Sequence, residues 1–296
     1  MIAEVAWREV RWPIAPRGAA RELRERRAVI VAVKDATGAI GLGEAAPLPG
    51  LSRDTIADAV AAMRALATLE VVTPAITDAP AARFAIETAL AVVAARPSAR
   101  RARPLRTAIV VDDADGARAA RSGCLKIKLG AGDDVARVAA IARAAPDAEL
   151  RLDANRAWPP REAAARIAEL AAVARIAFVE EPCRDAHRLL DAPLAAPLAL
   201  DESLGELAPG ELARALASPQ LAALVLKPTL LGGAARCLEL AAAARAAGVA
   251  AIASHALEGP IGFAACAELA RAIDADVAVG LGHHPALDGW RDARWR

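Results

Sequence analysis

Cys124-Leu125-Lys126-Ile127-Lys128-Leu129-Gly130 is the stretch on which the fold turns. Apolar residues alternate with lysines, so both amines leave the same face of one short strand. Gly130 then breaks the run, and the alanine-rich sequence over 132–145 reads as a helix. The same unit recurs to the end of the chain. Strands are predicted at Thr107–Val110, Cys124–Lys128, Glu149–Leu152, Ile176–Val179, Leu198–Leu200, Leu224–Leu226 and Val249–Ala253, with a weaker one at Val277–Val279. Helices are predicted near 113–121, 132–145, 160–173, 185–190, 206–216, 233–247 and 261–272. Short strands separated by helices in this number fit an α/β fold of the closed parallel TIM-barrel type. The open doubly wound sheet is the structural alternative, and it would be favoured by a Gly-rich phosphate loop after its first strand. Gly41-Leu42-Gly43 lacks the later glycine, and Gly130-Ala131-Gly132 runs into Asp133 and Asp134, which would repel a pyrophosphate.

Upstream the pattern differs. Ile2 to Val10 is a mixed run, Ala28 to Lys34 is strongly β-prone, Asp35-Ala36-Thr37-Gly38 supplies a turn, and Ile40 to Glu44 starts another strand. Ser52 reads as a helix N-cap with helix to about Leu69, and a second helix is expected from Pro80 to Ala95. Strands followed by helices make this an α+β block. The stretch 96–104 is the expected linker. The division that follows is an N-terminal domain over 1–100, a barrel over 101–280 and a C-terminal tail over 281–296.

Composition narrows the function classes. The 296 residues are 56% hydrophobic, so a large core is available. Aromatics make up 3% and tyrosine is missing, which argues against a base-stacking surface for nucleic acid. The formal charge of +1 gives no field to steer polyanions or membranes. No apolar stretch approaches a membrane span, and Glu4, Arg8 and Glu9 interrupt the N-terminus before any signal-peptide core. Cys124, Cys183, Cys237 and Cys266 are too far apart for a short-spaced zinc pair and read as reduced, which suits a cytoplasmic protein.

Polar residues recur where the apolar strands end, and in barrels that end carries the active site. Asp153, Glu180 and Asp201 close three successive strands. Gathered at one mouth they would repel one another unless a hard cation bound them. An all-carboxylate set favours Mg²⁺ or Mn²⁺ over zinc. Lys128 and Lys227 come from the second and sixth strands, opposite one another in an eight-stranded ring, and would flank a substrate held at the metal. A free lysine, with a pKa of about 10.4, is a poor base at neutral pH. Desolvation and a neighbouring cation such as Lys126 would bring it toward about 7–8. Each residue also has a plainer reading alone: Asp201 and Glu181 as helix caps, Lys126 and Lys128 as partners of carboxylates at the core edge. Ser254 and His255 end the seventh strand, where His255 reads equally as a pocket residue or a satisfied loop histidine. His283 and His284 lean toward structure. The Gly-x-Ser-x-Gly elbow of serine hydrolases is missing.

Taken in order, Lys126-Ile127-Lys128, Leu152-Asp153-Ala154-Asn155, Glu180-Glu181-Pro182, Asp201-Glu202-Ser203 and Lys227-Pro228-Thr229 resemble the enolase superfamily, in its muconate-lactonizing subgroup. Gly43-Glu44-Ala45-Ala46-Pro47-Leu48-Pro49-Gly50-Leu51-Ser52 is similar to the N-terminal specificity region of the o-succinylbenzoate synthase family. The resemblance implies a modified (β/α)7β barrel capped by the N-terminal α+β domain. It implies Asp153, Glu180 and Asp201 as Mg²⁺ ligands, with Mn²⁺ as a possible substitute. It implies Lys128 as acid/base, Lys227 across the substrate, Lys126 as its tuning partner, and Asn155 and Glu202 in support. The implied partner is a small-molecule carboxylate, and the implied reaction is a dehydration in menaquinone biosynthesis. Loops around 13–22 and 44–52 would close over it, with Arg17 and Arg21 as candidate contacts. Trp290 and Trp295 would pack on the cap. N-acylamino acid racemase shares both lysines and is the enzymatic alternative. The Asp-x-Asp of dipeptide epimerases is missing after Ser254. A catalytically silent binding barrel is the non-enzymatic one.

Overall fold

The computed structural model describes residues 2–15, 23–69, 71–95, 103–130, 132–273 and 276–295. Arg17 and Arg21 lie outside these residues, as does most of the expected linker. The chain opens with an antiparallel meander of β1 (Ile2–Pro13), β2 (Glu25–Asp35) and β3 (Ile40–Ala45). The β2–β3 turn forms where expected: the Asp35 carboxylate accepts the Thr37 and Ala39 N–H groups, and Gly38 adopts φ +90°. Helix α1 (Ile56–Leu66) starts later than the sequence suggests. Its cap is Thr55, in a reciprocal capping box with Asp58, whereas the Ser52 hydroxyl accepts the Leu48 N–H at 2.7 Å.

Helix α2 (Pro80–Ala94) lies directly on β3. Gly41 and Gly43 permit the approach, because a Cβ on either would fall onto the carbonyl oxygen of Ala89 or Ala85. Val29, Val31 and Val33 then pack against Met63, Leu66 and Ile86. Gly43→Ala must separate helix from strand, so it is expected to cost about 3 kcal/mol, measurable as a lower urea midpoint.

The second sheet is built from β4 (Ile109–Val110), α3 (Ala114–Ala119), β5 (Cys124–Lys128), α4 (Asp134–Ala144), β6 (Glu149–Asp153), α5 (Pro160–Ala171), β7 (Ile176–Glu180), β8 (Leu198–Leu200), α6 (Pro209–Ala217), β9 (Leu221–Leu226), α7 (Pro228–Leu231), α8 (Ala234–Ala246), β10 (Ala250–Ala253) and α9 (Pro260–Ile273). Its seven strands are parallel and neighbour one another in chain order. The weak eighth strand is reduced to Val279 and Gly280, which bridge Thr107 beside β4 and Ser254 beside β10. Ala108 N–H donates to the Val279 carbonyl at 3.0 Å, and Gly280 N–H to the Ala253 carbonyl at 2.8 Å. Both edges of the sheet therefore meet on one two-residue segment, and the ring closes as the modified (β/α) barrel that the sequence implies. The helix expected at 185–190 is instead a 3-10 segment, Ala186–Asp191, entered through Asp185 at φ +55°.

Strand alternation sorts the two faces. Leu125, Ile127, Leu150, Leu152, Val179, Leu198, Leu200, Leu224 and Leu226 join the core beneath the helices. The inner face is lined lower down by Phe178, Ala199, Ala223, Val225 and Ile252. Arg151 on the same face is 3% exposed. It stacks on Phe178 at 5.2 Å and donates to the Ala278 carbonyl and Glu149, so its buried charge is satisfied. The chain ends with α10 (Pro285–Asp288) and β11 (Arg294–Trp295). Strand β11 pairs with β1, and Trp290 meets the Trp12 ring edge-on at 4.7 Å. All four cysteines are buried and free. Among the described residues, no helix is long and apolar enough to cross a membrane.

Candidate active site

The inner face that is apolar below becomes charged at the C-terminal strand ends. Lys126 and Lys128 on β5 pair in register with Arg151 and Asp153 on β6, and Asp153 with Glu180 on β7. Asp201 follows β8 and Lys227 follows β9, each continuing the inward set begun by Ala199 and Val225. The three carboxylates are 1–4% exposed. Lys126 Nζ lies 2.9 Å from Asp153 Oδ2 and 2.7 Å from Glu180 Oε2. Lys128 Nζ lies 3.2 Å from Asp153 Oδ2 and 3.0 Å from Asn155 Oδ1. Lys227 contacts Asp201 Oδ2. The six expected groups thus share one mouth, and lysine–carboxylate pairing, read from the sequence as an alternative, coexists with that convergence.

Electrostatics follow from the contacts. Burial works to raise the Asp153 carboxyl, but the ammoniums of Lys126 and Lys128 outweigh it and hold it well below the usual carboxylate range. Burial likewise opposes the Lys126 charge, and Asp153 and Glu180 outweigh it, so Lys126 sits above an ordinary lysine. The Asp201–Lys227 pair holds a proton more tightly than either group does in water. Burial and the charges of Glu202 and Glu180 push Asp201 up, while Lys227, despite burial, is raised by Asp201 and Glu202.

Among the described residues, no three His, Cys, Asp or Glu side chains stand in position to hold a metal ion together. The lysines draw the carboxylates instead. The donor set nevertheless fits a hard cation. It is all oxygen, buried and crowded with like charge at Asp201, and Glu202 Oε2 is buried there without a partner. Loading the site would require Lys126 and Lys227 to yield carboxylate oxygens.

A second tier of contacts fixes the strand ends. Asn155, Arg156 and Glu181 all have positive φ, 45°, 60° and 40°. Glu181, read from the sequence as a possible helix cap, is fully buried and accepts the Asp201 N–H at 3.1 Å and the Ser203 N–H at 2.7 Å. Arg156 joins Glu181 to Glu206. The Ser254 hydroxyl donates to the Gly280 carbonyl at 3.1 Å, so it serves the barrel seam. His255 stacks on His284 at 4.2 Å beside Phe263. Burial, then His284 and the three site lysines, keep His255 well below the usual imidazole range. Arg26 and Glu44, from the N-terminal sheet, reach the loop after β10, where their partners lie over 200 residues away in the chain.

Residues 110–293 match the family described as Enolase C-terminal domain-like. The chain belongs to the enolase superfamily. Residues 19–93 of this enolase-superfamily enzyme match the family described as MenC, N-terminal domain. The o-succinylbenzoate synthase of Klebsiella pneumoniae (strain 342) is 34% identical over 294 residues, covering 92% of this chain and 88% of the relative. Among solved structures, an o-succinylbenzoate synthase from Thermosynechococcus elongatus BP-1, complexed with Mg in its active site, superposes with a TM-score of 0.76 at 26% identity, covering 94% and 92% of the two chains. An L-Ala-D/L-Glu epimerase superposes with a TM-score of 0.75, also at 26% identity, covering 93% and 94%.

Proposed function

We propose that this chain is a metal-dependent o-succinylbenzoate synthase, a carbon–oxygen lyase of menaquinone biosynthesis. Its substrate in this reading is 2-succinyl-6-hydroxy-2,4-cyclohexadiene-1-carboxylate. Residues 1–100 cap the mouth, 101–280 carry the chemistry, and 281–296 return to the cap. The observation that carries the reading is the ring of Lys126, Lys128, Asp153, Glu180, Asp201 and Lys227 at one barrel mouth. It is supported by the N-terminal match and by the identity to a named synthase over nearly the whole chain.

Asp153, Glu180 and Asp201 would hold Mg²⁺, which when bound supplies a Lewis acid for the substrate carboxylate. Lys128, as the free amine, takes the proton from the carbon beside that carboxylate. Lys227 faces the growing negative charge with its ammonium. Lys128 then returns a proton to the departing hydroxyl, which leaves as water while the ring becomes aromatic. The lysine ends as the free amine, so one water is lost and no other reactant is needed. Asn155 holds the Lys128 amine at 3.0 Å between the two transfers.

The test is a coupled loss. Purified protein should convert the diene acid to 2-succinylbenzoate, chelator should abolish conversion, and Mg²⁺ should restore it. Failure to form the aromatic product with Mg²⁺ present sinks the reading. A racemase is the second reading, supported by the shared lysines and by the epimerase superposition. It would place deuterium at the α-carbon of N-acylamino acids in heavy water.

A further inference from the structure

The loop after β10 runs Ser254-His255-Ala256-Leu257-Glu258-Gly259, and it is pinned from the cap rather than by the barrel alone. Arg26 on β2 is 1% exposed. Its Nε donates to the Leu257 carbonyl at 3.0 Å and its Nη2 to the Ala256 carbonyl at 3.4 Å. The same guanidinium donates to the Ala46 and Pro47 carbonyls at 2.6 and 2.8 Å, so one side chain ties the cap to this loop. Glu44 on β3 completes the grip. Its two oxygens accept the Gly259 and Gly262 N–H groups at 2.5 and 2.8 Å, capping helix α9 from another domain. A Cβ on Gly259 would lie 2.6 Å from the Trp290 ring and 2.9 Å from Glu44 Oε1, so glycine leaves room for both. From the barrel side, Glu258 accepts the Ala256 N–H at 2.7 Å and the Thr229 hydroxyl.

The grip holds Leu257 at φ +60°, a conformation that an unrestrained leucine avoids. The Leu257 N–H, on the same peptide as the Ala256 carbonyl that Arg26 holds, donates to His255 Nδ1 at 3.2 Å. An Nδ1 that accepts a hydrogen bond cannot carry the proton of a neutral imidazole, so the proton sits on Nε2. His255 Nε2 has no hydrogen-bond partner among the described residues, and the residue is intermediate in burial. Strand β10 runs parallel to β9 with Ala253 opposite Leu226, so Ser254 and His255 follow beside Lys227 at the carboxylate-and-lysine mouth. The His284 stack fixes the ring plane.

We infer that Arg26 and Glu44 are positioning residues of the active site: they set the backbone of 256–259, which locks His255 with Nε2–H as a donor toward an oxygen of the bound substrate. The inference rests on the proposed dehydration only for what that oxygen belongs to, the keto-acid arm remote from the reacting carbon. The lock itself is a property of this chain. It makes the cap part of substrate recognition through its buried base.

The sequence contains four histidines, so ¹⁵N-edited spectra of their rings are simple to assign with His255→Phe as the reference. Wild type is expected to show His255 as a single Nε2–H tautomer. Glu44→Gln and Arg26→Lys, if folded by their melting transitions, are expected to show both tautomers and to raise KM about 10-fold with a smaller change in kcat. In a His255→Phe background the same substitutions should change KM less than about twofold, because the group they aim is gone. A wild-type proton on Nδ1, an unchanged tautomer in a folded variant, or KM losses that add in the double variants would each overturn the inference. Should one of the two variants not fold, the other carries the test. If wild type lacks dehydratase activity, the functional reading fails, while the tautomer spectra still decide the lock.

Discussion

Lys128→Ala is expected to lower kcat for the dehydration by at least about a thousandfold, with Mg²⁺ binding retained. The three site lysines are not equivalent. The side chains of Lys126 and Lys227 are 18% and 14% exposed, and each lies on buried carboxylates. The Lys128 side chain is 36% exposed and contacts one carboxylate oxygen and the Asn155 amide. It is the amine of the three with room to meet a substrate. Lys128→Arg should not rescue, because a guanidinium does not give up its proton near neutral pH. Single-turnover rates with saturating Mg²⁺ separate chemistry from binding, and a residual rate within tenfold of wild type would remove Lys128 from the proton transfer.

Asp153→Asn is expected to damage two properties at once. Asp153 is the carboxylate shared by Lys126 and Lys128, so its loss leaves two ammoniums with Glu180 and Asn155 as their remaining contacts. Removing one partner of a buried ion pair costs about 3–5 kcal/mol, and the retained amide should keep this substitution near the lower figure. The same change removes one of three metal ligands. Mg²⁺ affinity by isothermal titration is therefore expected to fall at least about 100-fold, with activity following it. Unchanged Mg²⁺ binding in a folded variant would place the cation elsewhere and would favour a silent barrel.

These expectations were largely legible in the chain itself because the relevant signals are local. Strand alternation places Lys126 with Lys128 on one face, while Glu180, Asp201 and Lys227 are read from their positions at strand ends; the register of β5, β6 and β7 sets Lys128, Asp153 and Glu180 side by side. What stayed hidden was non-local or depended on a competing hydrogen bond. Ser52 has the residue type of an N-cap, but its hydroxyl is taken by Leu48, and Thr55 with Asp58 makes the better box. The helix expected after β7 gives way to a 3-10 segment entered through a left-handed Asp185. The pairing of buried lysines with carboxylates was only one of two readings, since strand spacing fixes facing and not distance. Glu44 falls in the Gly43–Ser52 segment that carries a resemblance and Arg26 just before a β-prone run, but nothing nearby tells that their charges are fully enclosed. Alternation puts Arg151 on the face of Asp153, but nothing local tells that it stacks on Phe178 inside the barrel.

The segment Val279–Gly280 has a consequence for synthesis. Seven strands can be assembled as they leave the ribosome, yet the sheet stays an open trough until these two residues arrive to join its edges. The stretch just behind them supplies the last strand of the N-terminal sheet, through Arg294–Trp295 against β1. A chain clipped before residue 279 would keep its motifs and lose both its hoop and its clasp.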